Sequence, residues 1–173
     1  MMRAAKGSRD DHDPGARACR VAGPDHAGRG GMPFCPLVSY AHWEIVPTRW
    51  KDNDVYGHMN NVVHYTFMDT VINNWLIGEG GLDIHEGPTI GLCVESRCAY
   101  HASLAFPEKA AVGLRVGHLG RSSVRYEVGI HREDRSELIA EGHFVHVFVD
   151  RGTRRPVEPT GRLRESLERL RME

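Results

Sequence analysis

One long apolar helical pattern, from Asn61 to about Ile77, constrains this chain more than any other feature, because four strand patterns follow it and they must bury it. Val62, Tyr65, Asp69, Ile72 and Leu76 form one stripe along the pattern, and Val63, Phe67, Val71 and Trp75 broaden it. A helix with so wide an apolar face is expected to be largely surrounded by other structure. Gly78, Gly80 and Gly81 stop it.

The strand patterns define what surrounds the helix. One precedes it, His42 to Arg49, ending near Pro47. Four follow: Thr89 to His101, Lys109 to Leu119, Ser122 to Arg132 and Leu138 to Asp150. Period-two alternation places Ile90, Leu92, Val94 and Cys98 on one face of the first of these, and Val112, Leu114 and Val116 on one face of the second. In the third, Val124, Tyr126, Val128 and Ile130 point inward, with Arg125, Glu127 and His131 outward. Leu119-Gly120-Arg121 and Glu133 to Ser136 are short turns, which predicts antiparallel hairpins. A terminal helix, Gly161 to Arg171, is mostly charged, with Leu163, Leu167 and Leu170 on one side. The simplest packing is α+β: a five-stranded antiparallel sheet wrapped around a long central helix. The open side of such a sheet is expected to pair with a second copy.

At 173 residues the chain is long enough for one domain with a real core. A formal net charge of -1 gives no electrostatic argument for nucleic acid or an anionic membrane surface. No apolar run approaches the roughly 18 residues needed to cross a bilayer. Cys19, Cys35, Cys93 and Cys98 form no CxxC and no metal-finger spacing, so they are expected as free thiols in a reducing cytoplasm. Cys93 and Cys98, five apart in a strand pattern, should face opposite sides of the sheet. Residues 1–32 carry almost no large apolar side chains and are expected to be a disordered extension, with Met32 a possible natural start. Residues 33–173 then form a single domain.

Between the first strand and the helix lies Arg49-Trp50-Lys51-Asp52-Asn53-Asp54-Val55-Tyr56-Gly57-His58-Met59-Asn60-Asn61. Polar residues this dense, between two packed elements, point to chemistry rather than core. Asn60 or Asn61 is placed to cap the helix, since a short side-chain oxygen there accepts an orphan amide hydrogen bond. Gly57 permits the tight turn that returns the loop to the helix.

This loop, followed by the helix and four strands, resembles the hotdog-fold acyl-CoA thioesterases, most closely the 4-hydroxybenzoyl-CoA thioesterase type. The likeness rests on Asp-x-Asp-x-x-Gly-His-x-Asn-Asn from Asp52 to Asn61, and on Gly120-Arg121-Ser122-Ser123 opening the fourth strand. It spans about residues 40–150. It implies hydrolysis of an acyl-CoA thioester in a site formed across a homodimer interface, with no cofactor. The family's catalytic carboxylate falls on Asp54, and its oxyanion donor on a backbone amide at about Asn61. Arg121, Ser122 and Ser123 fall where the phosphates of coenzyme A lie. Many relatives carry Glu and then Arg within the helix, where this chain has Asp69 and Ile72. The His-Gly-Gly pattern of the phenylacetyl-CoA type is absent.

The chemistry is consistent with the residues themselves. Thioester hydrolysis needs a nucleophile or base, a group to polarise the carbonyl, and a slot for the thiol leaving group. A carboxylate attacks directly or activates water, and helix N-terminal amides stabilise a developing oxyanion. Asp54 and the amide near Asn61 supply both from one short segment. His58 is expected in the site, orienting the loop or moving a proton, with Asn60 and Tyr56 as substrate contacts. Asp52 is expected to be structural support. No metal site is expected among the 11 histidines: His143 and His146 face opposite sides of a strand, and His58 and His64 have no recognised ligand spacing. Ser122 and Ser123 lack a Gly-x-Ser-x-Gly elbow. Two alternatives stay open, a non-catalytic acyl-CoA-binding module and a dehydratase of hydroxyacyl thioesters.

Overall fold

A computed structural model describes residues 39–172, so the expected extension over 1–32 and the thiols of Cys19 and Cys35 lie outside the described residues. The central helix, α1, runs Asn61–Gly78. Five strands accompany it: β1 (His42–Pro47), β2 (Thr89–Tyr100), β3 (Lys109–Leu119), β4 (Ser123–Arg132) and β5 (Leu138–Asp150). They form one sheet in the order β1-β3-β4-β5-β2, every pair antiparallel. The α1 connection carries the chain from one edge strand to the other. A short helix, α2 (Gly161–Arg169), follows β5.

The core is the layer between α1 and the sheet. Phe67, Met68, Val71, Ile72, Trp75 and Leu76 meet Val112, Leu114, Tyr126, Ile130 and Phe148 there. The helix is rotated from the expected stripe. Val62 is 63% exposed and Asp69 lies on the surface, whereas His64, Phe67, Met68 and Val71 are buried. Apolar residues occur around most of this helix, so periodicity alone carried little information on its rotation.

Strand β2 corrects two further expectations. A bulge between Cys93 and Glu95 shifts its register against β5. An extra residue there reverses which face each later side chain occupies. Gly91 and Cys93 pair with Phe148 and His146, while Ser96 and Cys98 pair with Phe144 and Gly142, all on the helix side. Cys93 and Cys98 therefore share a face, and Cys98 lies opposite Ile90 and Leu92. Both are free thiols. His131 points away from α1 as expected but is buried, because Tyr40 and Trp43 pack edge-on against its ring.

The far end of α1 is closed by α2. Arg162 donates to the carbonyls of Gly78 and Glu79 (2.6 and 3.1 Å), and Ser166 Oγ to Glu79 (3.0 Å). These donors satisfy carbonyls that a helix C-terminus leaves open, and the guanidinium complements the dipole. Among the described residues, no helix is long and apolar enough to cross a membrane.

Candidate active site

The polar loop is built as a rigid entry to α1. A 3-10 turn, Trp50–Asp52, follows β1. The Asp52 carboxylate, almost fully buried, accepts from the Arg49 backbone amide at 2.7 Å and from the Arg49 guanidinium at 2.8 Å. Burial pushes the Asp52 carboxyl up, but its Arg49 hydrogen bonds and charge outweigh that and hold it below the usual carboxylate range. The Asn60 amide donates to the Asp52 carbonyl at 2.8 Å, tying the end of the loop to its beginning. The Met59 amide bonds Leu104, and Asn53 Oδ1 accepts from the Phe106 amide. Asp52 is the support the sequence suggested. Because its folded value is lowered, it stabilises the fold above the ordinary carboxylate range and loses that contribution as pH falls through the folded value. Asp52→Asn is expected to cost about 1–3 kcal/mol at neutral pH, and less in strong acid, as urea unfolding at both pH values will show.

Asp54 is half-buried at the base of the turn. Its Oδ1 accepts from the Tyr56 amide at 2.8 Å and, more weakly, from the His58 amide at 3.4 Å. No hydrogen bond engages Oδ2 among the described residues, which leaves one carboxylate oxygen free for chemistry. Gly57 closes the turn at φ +85°, the left-handed conformation that favours glycine. Tyr56 and His58 project outward, with Tyr56 80% exposed. Trp50 and Phe106, packed edge-to-face at 5.9 Å, form an exposed aromatic patch nearby.

Asn60 is the helix cap: its Oδ1 accepts from the Val62 amide at 3.1 Å and its carbonyl from the Val63 amide at 2.9 Å. The Asn61 amide, first in the helix, has no partner among the described residues. An open N–H at a helix N-terminus can stabilise an oxyanion.

Sequence reasoning missed two residues here. His64 is buried in the first turn of α1, with Nδ1 3.3 Å from the Asn60 carbonyl. The Asn60 carbonyl and the Asn61 amide belong to one peptide unit, so His64 braces the group that carries the free N–H. Burial pushes the His64 imidazole below the ordinary histidine range. A neutral ring bonded to that carbonyl carries its proton on Nδ1. Tyr100, at the end of β2, packs edge-on against His64 at 5.0 Å and donates its hydroxyl to the Asn61 carbonyl at 3.2 Å. Burial, then neighbouring Cys98, raises the Tyr100 hydroxyl to about 12, so it stays a donor. The spacing from Asn60 to His64, one helical turn, was the available signal.

Arg121, Ser122 and Ser123 are not brought to this loop within one chain. They form the β3–β4 turn, whereas the Asp54 loop continues from the β1 end that pairs with Lys109. The length of β3 puts these two ends on the order of 30 Å apart. The Arg121 side chain is 90% exposed, its guanidinium 3.8 Å from the Glu158 carboxylate.

A sheet wrapped on one helix, with a carboxylate loop leading into an open helix N-terminus, defines a protein of the hotdog thioesterase class. The thioesterase-like superfamily model matches residues 48–167, and the chain belongs to that family. Protein PA5185 of Pseudomonas aeruginosa is 51% identical, with a TM-score of 0.74 over 76% of this chain and 92% of that one. Two structures from Staphylococcus aureus share the fold at lower identity. A DHNA-CoA thioesterase is 19% identical (TM-score 0.61, 67% of this chain, 78% of that one). Protein SAV2348, solved with CoA, is 14% identical (TM-score 0.69, 76% and 85%). Among curated proteins, none matches the chain.

Proposed function

We propose that this protein hydrolyses an acyl-CoA thioester to a free acid and coenzyme A. The observation that carries the reading is the unpartnered Asn61 amide at the start of α1, on the same short segment as Asp54 with its free Oδ2. The thioester carbonyl accepts from the Asn61 amide, so negative charge developing on oxygen is stabilised where it forms. Asp54 attacks the carbonyl carbon or takes a proton from the attacking water. The tetrahedral intermediate collapses and the C–S bond breaks. Where Asp54 itself attacked, water then hydrolyses the resulting acyl–Asp54 anhydride. In both routes that water gives its hydroxyl to the acid and its proton to the departing thiolate of coenzyme A. His58, Tyr56 and Asn60 shape the mouth of the site.

The site is completed by a second copy. Strand β2 is an edge strand of 12 residues with Leu92 and Val94 exposed. An edge this long offers unpaired backbone groups to another strand. Two-fold pairing of β2 edges is antiparallel, and it sets the Asp54 end of one copy beside the opposite end of the other. The exposed Arg121, with Ser122 and Ser123, then reaches the phosphates of coenzyme A bound at its neighbour, by charge-assisted hydrogen bonds.

The reading is tested by thiol release from a panel of acyl-CoAs spanning aliphatic and aromatic groups; a panel with no turnover overturns it. Under the same reading, His64→Phe keeps a ring but loses the donor to Asn60. It is expected to lower kcat about tenfold, the worth of roughly one hydrogen bond, with KM within about twofold. Steady-state kinetics of both constants will check the split.

A further inference from the structure

The outer face of the sheet, opposite α1, carries a recess of its own. Cross-strand pairing puts Arg97 of β2, His143 of β5, Glu127 of β4 and Arg115 of β3 in one row on that face. The next row is mostly small: Ala99 pairs with Glu141, Glu141 with Gly129, and Gly129 with Gly113. The Tyr40 side chain lies over the two glycines, where an added Cβ would overlap its ring and hydroxyl. A cavity of about 320 Å³ opens among these side chains, and Arg125 joins its wall.

The carboxylates of this wall are engaged, whereas several of its donors are not. Arg115 Nε donates to Glu127 at 2.8 Å, and His101 Nε2 lies 3.2 Å from the Glu141 carboxylate. Arg97 is exposed and makes no side-chain hydrogen bond or ion pair among the described residues. Arg125 meets no carboxylate there; its Nη2 donates to His143 Nδ1 at 3.1 Å. A guanidinium only donates, so Nδ1 accepts and the His143 proton sits on Nε2, 2.7 Å from Glu95. Glu95 therefore reaches Arg125 only through the imidazole. Tyr40 is 8% exposed, and its hydroxyl, on the cavity wall, has no partner among the described residues. Burial, then the Glu141 charge, raises that hydroxyl to about 12, so it stays a donor. Three guanidiniums face two carboxylates in the wall, and a buried phenol without an acceptor is costly.

We infer that this recess binds the carboxylate or phosphate group of a small organic anion, at a site separate from the Asp54 loop and the Asn61 amide. Arg97 and Arg125 offer planar forks of N–H donors, which bind such groups through paired hydrogen bonds. The Tyr40 hydroxyl adds a further donor. The site does not depend on thioester hydrolysis, and its occupancy is read without turnover.

The test is calorimetric titration of the full chain with sodium lactate and with glycerol 3-phosphate, at constant ionic strength. The tighter of the two identifies the anionic group. Binding is expected in the wild type, weakened about tenfold in Arg97→Gln and in Tyr40→Phe. It is expected to be unchanged in Arg121→Gln, on the β3–β4 turn. Arg97 has no partner to lose and Tyr40→Phe removes a single oxygen, so both variants are expected to fold, as circular dichroism melts will show. Weaker binding in either of them upholds the site. Binding of neither anion, an affinity that neither substitution lowers, or binding lost in Arg121→Gln overturns it.

Discussion

An Asn61→Pro protein is expected to fold normally and to lose about 100- to 1,000-fold in kcat, the usual cost of one oxyanion donor. Proline has no N–H, so the substitution deletes the proposed donor. The backbone is suited to it. Asn61 is the first residue of α1, the position where proline is best tolerated in a helix. Asn60 sits at φ -56°, ψ 139°, extended as a residue before proline must be. The capping bonds to the Val62 and Val63 amides stay in place, and no bond is lost because the Asn61 amide makes none among the described residues. Asn61→Ala keeps the amide and is expected to lose far less. Circular dichroism melts will show whether the fold is kept, and steady-state thiol release gives kcat. Wild-type kcat in the proline variant would remove this amide from the mechanism.

Asp54→Asn is expected to lower kcat/KM about 100- to 10,000-fold, the range for losing a general base. The loop should survive, because an asparagine carbonyl can still accept from the Tyr56 and His58 amides as Oδ1 does now. The expected change in stability is within about 0.5 kcal/mol, as for surface positions without special roles. Asp54→Ala separates structure from chemistry: it loses the turn bonds as well, so it should be both less stable and inactive. A catalytically intact Asp54→Asn protein would leave Asp54 as a turn residue only. Activity and urea unfolding on both variants measure the two effects independently.

The loop residues and the residues that brace them differ in how they could be read. Asp54 and Gly57 were legible because the turn is local: the acid accepts amides from within the same few residues, and the glycine supplies the positive φ. The Asn60 cap was legible for the same reason. His64 was not, because a histidine among apolar helix residues reads as surface or core until its contact with the Asn60 carbonyl is seen. Tyr100 is 39 residues from the Asn61 carbonyl it bonds, and no spacing rule connects them. The shared face of Cys93 and Cys98 was hidden by the bulge at Cys93–Glu95, which moved Cys98 to the helix side. A single inserted residue defeats period-two reasoning beyond it.

The sequence by itself determined the element order, the antiparallel hairpins, the loop and its cap, because each depends on neighbours within a few residues or on a repeating pattern. Only the tertiary structure decided the rotation of α1, the faces of β2, and the distance between the Asp54 loop and the Arg121 turn. Those depend on which surfaces meet across the sheet. A helix whose apolar residues are not confined to one stripe and a bulged edge strand leave that choice to packing rather than to periodicity.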